Sequence, residues 1–255
     1  MRLKGFVPFV GALVVCCFSG GSLANTPPGA VEFIRRAQVV VDGKDPNAPL
    51  MPGSDPRMQA LLQVSSGRTV FGTAPSSAQD LAWVLKVKLP LAGLIQRYLA
   101  DGVAAGTDPT SAQTMANSDK YADVVYPLVI LTMYAGAHEL SALADWLPSQ
   151  PEPKRTTVLA EALAVRKGAI AMVTGLLMAS PGAGELGKRR GAMLMAFADS
   201  APALAAALTL RQRKELYFRI VTMPSPGNPS EQAEYSQFEQ AFKSTDCSGL
   251  CAYND

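Results

Sequence analysis

The chain has 255 residues, with 23 basic and 21 acidic side chains, four cysteines and a single histidine. So even a charge balance, with no long basic run, excludes binding to nucleic acid by phosphate neutralisation. One histidine excludes any two-histidine metal site, and the length suffices for one domain with a real core.

Residues 1–24 read as a cleaved signal peptide. Arg2 and Lys4 form a positive start, Phe6–Phe18 is an apolar run of 13 residues, and Ser22-Leu23-Ala24 offers a small-x-small cleavage site. The run is shorter than the about 20 residues a membrane span requires. A second reading anchors the chain by a lipid on Cys16 or Cys17, although Val15 is not the small residue such a signal prefers. Cleavage takes two basic residues and no acid, which leaves residues 25–255 close to neutral as one helical domain. The expected location is the periplasm, with an extracellular protein or a lipoprotein as alternatives.

Along that domain the apolar spacing is helical. Val31, Ile34, Ala37 and Val41 form a first stripe, stopped by Asp42-Gly43. Residues 43–56, rich in Pro, Gly and Asp, read as a loop, and a short helix follows at Arg57–Val64. Gly67–Thr73 carries β-branched and aromatic residues and is assigned a brief strand, with nothing obvious to pair it. Ser77 and Asp80 have capping-box spacing before a long stripe from Leu81 to Leu99, which Pro90 is expected to kink or split. A further helical stretch starts at Asp108-Pro109.

Val124–Ala137 has no charge, is too short to span a bilayer, and reads as the buried centre of a bundle. Lys154–Ala179 reads as an amphipathic helix with Leu159, Leu163, Ile170, Val173 and Leu177 on its apolar face. Ala192–Ala198 and Pro202–Val221 continue as two helices, with Ser200 as the cap of the second. Residues 223–230 are a linker to a last helix, Glu231–Phe242, anchored by Tyr235, Phe238 and Phe242. No alternation is long enough to build a sheet. The expected fold is all-α: a single-domain multi-helix bundle or irregular helical array.

Chemistry-bearing motifs are few. Ser180–Gly191 contains G-x-G-x-x-G and G-x-x-x-x-G-K, but a helical stripe precedes it where a strand belongs, and Arg189 replaces the Ser or Thr that would meet magnesium. It reads as a turn between helices. His138-Glu139 begins H-E-x-x-H, but Ala142 stands at the second histidine position. His138 is expected to be hydrogen-bonded inside the bundle, with metal ligation, a base beside a serine and pH sensing as lesser readings. Cys247 and Cys251 are expected to form a disulfide that ties residues 247–251 into the tail.

No catalytic, cofactor-binding or metal-binding residue is named from this sequence. Lys188, Arg189, Arg190, Arg211 and Lys214 make the C-terminal half locally basic and are the expected docking residues for a partner. The function expected is an exported, non-catalytic protein-binding module, for example an inhibitor or immunity-type neutraliser of an envelope-active enzyme. Its partner would be another envelope or secreted protein, with no nucleic acid and no transmembrane span. Two alternatives stand beside it: a periplasmic carrier of an apolar ligand or lipid, with Met172, Met178, Met193 and Met195 lining its pocket, and a carboxylate-dependent hydrolase.

Overall fold

A computed structural model describes residues 26–41, 49–104, 106–152, 154–179, 189–222, 229–247 and 249–253. The expected signal peptide, residues 43–48 of the loop, Lys188 and the glycine-rich turn at 180–188, and most of the 223–230 linker lie outside them. Among the described residues the chain is all-α, with no strand. The helices are α1 (Pro28–Val41), α2 (Pro56–Gln63), α3 (Gly67–Phe71), α4 (Leu81–Leu99), α5 (Ser111–Lys120), α6 (Ala122–Trp146), α7 (Lys154–Ala179), α8 (Arg190–Ala207), α9 (Leu210–Val221) and α10 (Pro229–Lys243). Among these residues no helix is long and apolar enough to cross a membrane.

The uncharged central segment becomes α6, buried on nearly every side from Val124 to Ala144. It packs chiefly against α4 on one side and α8 on another, and α10 closes over α8. A helix apolar all round gains by burying every face, which places it at the centre of the array.

Pro90 does not split α4, and Pro202 does not separate two helices: each lies inside one. An internal proline costs about 3 kcal/mol. In α4 that is outweighed by burial of Val87, Leu91 and Leu94 around it, each worth roughly 1.5–3 kcal/mol. The expected cap Ser200 instead lies fully buried mid-helix in α8, its hydroxyl without a hydrogen-bond partner among the described residues. The cap of α9 is Thr209, which exchanges bonds with Gln212 in a capping box, as Thr110 does with Gln113 before α5.

The segment expected as a strand is helix α3. It is ended by Gly72 at φ 73° and lies against α6. Its first residue, Gly67, touches the Tyr134 ring so closely that a Cβ there would sit 1.9 Å from a ring carbon. Gly67→Ala is therefore expected to destabilise the fold by about 2 kcal/mol through overpacking. Urea unfolding checks this, and an unchanged midpoint would show that the ring yields freely.

Two stripes are rotated from expectation. In α1 the buried residues are Ala30, Phe33, Ala37 and Val40, while Val31 and Val41 are exposed. Phe33 is the largest apolar side chain available to that helix, and it turns the buried face about one residue. In α7 the buried line is Val158, Ala162, Arg166, Ala169 and Val173, the last as expected, with Leu159, Leu163 and Ile170 half-buried at its flanks and the Leu177 side chain outside the described residues. Alanines let α7 approach its neighbours closely, and the leucines pack around the contact.

Arg166 is fully buried on that line, and its guanidinium holds the end of the chain. It donates to Ala207 O (3.3 Å), Leu250 O (2.9 Å) and Tyr253 O (2.8 Å). The expected disulfide between Cys247 and Cys251 is present in the tail so held.

Candidate functional site

α9 is the most polarised helix of the C-terminal half. Gln212, Arg213, Leu216 and Ile220 recur at helical spacing and are buried. At 100° per residue the opposite face carries Val221, Lys214, Phe218 and Arg211 in angular order, with Leu210 at its first turn. All are exposed, and Phe218, at 67%, is the most exposed large apolar side chain among the described residues. An aromatic ring flanked by two cations on a rigid helix is a recognition pattern: the ring supplies apolar area and the cations supply charge preference.

The charges on this face are only partly answered. Arg211 bonds Glu215 at 3.0 Å, an exposed pair that contributes little. Lys214, and Arg219 next to Phe218 in sequence, have no ion-pair partner among the described residues. Of the other expected docking residues, Arg189 and Arg190 are half-buried at the start of α8, where Arg190 reaches Tyr235 Oη at 3.4 Å. The 18 residues of α8 extend about 27 Å, which places Arg211 at the far end of that helix from them. The basic residues thus form two groups, and the one on α9 carries the exposed aromatic. Phe218 itself was not singled out from the sequence; the signal was its position opposite Leu216 and Ile220.

Among the described residues, three polar groupings lie beside α6. Asp199, fully buried in α8, accepts from Arg68 through both carboxylate oxygens (2.6 and 3.0 Å) and from the Tyr134 hydroxyl at 2.7 Å. Asp199 holds the Arg68 guanidinium above its usual pKa, and burial pushes the Tyr134 hydroxyl strongly up. Lys88 pairs with Glu139 inside the core. His138 Nδ1 shares a 2.8 Å hydrogen bond with Ser76 Oγ, and the imidazole stacks on Phe71 with centroids 4.9 Å apart. The serine–histidine pair is thus real, but His138 is fully buried and Ser76 nearly so, which gives a substrate no approach.

The methionines expected to line one pocket are dispersed. Met193 is buried, Met172 is packed at the edge of the core, Met195 is 39% exposed, and the Met178 side chain lies outside the described residues. Among the described residues no group of three or more His, Cys, Asp or Glu could hold a metal ion. A cleft of about 530 Å³ lies where Ala205 and Ala206 of α8, Arg213 of α9 and Gln237 of α10 meet, and among the described residues Asp246 is the carboxylate in its wall.

Comparison with known protein families, with curated proteins and with solved structures finds no match to this chain. The functional reading therefore rests on its own geometry.

Proposed function

We propose that this chain is an exported, non-catalytic protein-binding module of the cell envelope, and that the outward face of α9 docks an acidic surface of a partner protein. The observation that carries the reading is Phe218, exposed between Arg211 and Lys214 on a helix whose other face is locked into the core. Aromatic and arginine side chains dominate binding energy at protein interfaces, and a folded helix presents them with little ordering cost. The disulfide and the start of the sequence support an oxidising, exported setting.

The test places a photo-crosslinking phenylalanine analogue at position 218 and, as a control, at Met115, which is exposed on α5. With the envelope fraction, a single protein adduct is expected at 218 and not at 115. With that partner in hand, Phe218→Ala is expected to weaken binding at least about tenfold, and so is Lys214→Glu. Equal adducts at both positions, or none at either, would remove the docking role from α9.

A further inference from the structure

The inner face of α9 presents a second, separate feature. Arg213 is 2% exposed, yet it forms part of the wall of the cleft between α8, α9 and α10. Its bonds go to neutral acceptors: Nε to Leu208 O at 3.0 Å, Nη1 to Ser244 O at 2.9 Å, and Nη2 to Cys251 Sγ at 3.3 Å. Sulfur is a weak acceptor, and a guanidinium has five N–H donors, so two remain. No carboxylate is in ion-pair contact with it among the described residues. A buried charge is costly unless an opposite charge answers it.

Asp246 is exposed on the same wall and acts on Arg213 electrostatically without bridging to it. One cation and one anion are thus held apart around a cleft of about 530 Å³, within the size range of small-molecule sites. Gln237 and Gln240 also line it with amides, and Ala205 and Ala206 with apolar surface.

We propose that this cleft binds a small zwitterion, a free α-amino acid, with its carboxylate on Arg213 and its ammonium on Asp246. A planar guanidinium suits a carboxylate in particular. The Asp246 charge disfavours inorganic phosphate, which brings a second negative charge and no cation. A purely apolar occupant would leave the charges of Arg213 and Asp246 unanswered. The site does not depend on the docking role of the outer face of α9.

The experiment is a titration of the full disulfide-bonded chain with individual free amino acids, followed by backbone amide NMR shifts. Their N-acetyl and C-amide analogues and inorganic phosphate are run beside them. At least one free amino acid is expected to bind and to shift amides of α9 and α10, with each blocked analogue at least about tenfold weaker. Arg213 also holds the tail, so its replacement risks unfolding. Asp246→Asn carries the test: it is on the surface, and it is expected to weaken the free amino acid about tenfold while leaving the N-acetyl form no weaker. The proposal is overturned if no amino acid binds at about 10 mM, if phosphate binds in preference, or if Asp246→Asn changes nothing.

Discussion

Arg166→Met is expected to cost about 4 kcal/mol of stability and to lower Tm by roughly 8–16 °C in a domain of this size. The methionine fills much of the volume but donates nothing. Three carbonyls, on Ala207, Leu250 and Tyr253, lose the guanidinium donor at once, and of these Leu250 O keeps its bond from Tyr253 N at 3.2 Å. Each unsatisfied buried acceptor costs about 1–3 kcal/mol, and the low end applies where the tail can lift and admit water. The same bonds join three parts of the fold: the body of α7, the end of α8 and the 3₁₀ turn at Gly249–Ala252. Reducing the disulfide is the natural comparison. A ring as small as 247–251 contributes about 2 kcal/mol in the chain-entropy model, so reduction is expected to matter less than the arginine. Thermal denaturation of the three forms, with limited proteolysis to locate the first cut, checks both statements. A Tm for Arg166→Met within about 2 °C of the parent would mean that water replaces the guanidinium without penalty.

That arginine also marks where reading the sequence stops working. The helical class, the central place of α6 and the anchors Phe238 and Phe242 were all legible, because each is written in local hydrophobic spacing. Arg166 and Arg213 were not. A charged residue is ordinarily placed outside, and partners mostly distant in sequence, carbonyls and a sulfur up to 87 residues away, make the interior acceptable. The strand assigned to Gly67–Thr73 failed for a related reason. Its β-branched and aromatic residues are a local preference, and docking of α3 on Tyr134 through Gly67 overrides it. The missed caps were available: Thr110-x-x-Gln113 and Thr209-x-x-Gln212 both have capping-box spacing, and the second places the start of α9 correctly where Ser200 does not. On the outward face of α9, Arg211 and Lys214 were legible as charge. Phe218 was not, since an exposed aromatic differs from a core aromatic only once the buried face of its helix is known.

Acid is expected to destabilise this protein well above the pH at which its carboxylates protonate, and His138 is the reason. Burial lowers its pKa from 6.5 to about 4, and the charge of Asp80 offsets that only in part. Its Nε2 is buried with no hydrogen-bond partner among the described residues, so the imidazolium would leave a charged N–H unanswered in the core. The unfolded chain therefore takes up a proton on His138 near pH 6.5, and the folded chain only near pH 4. Stability from this group is complete above the unfolded value, is lost as pH falls from about 6.5 to about 4, and does not change further below that. The full span corresponds to about 3 kcal/mol, of which about 2 kcal/mol falls between pH 7 and pH 5. The carboxylates held below their usual range, among them Asp101 and Glu239, lose their contributions in more acidic solution. With one histidine in the whole chain, the slope between pH 6.5 and 5 has a single side-chain source. Urea unfolding at a series of pH values should show that slope in the parent and a nearly flat line in His138→Gln, whatever stability the substitution itself removes. If the parent and the variant fall in parallel over this range, the imidazole is not the group that senses acid, and its bond to Ser76 must persist when it is charged.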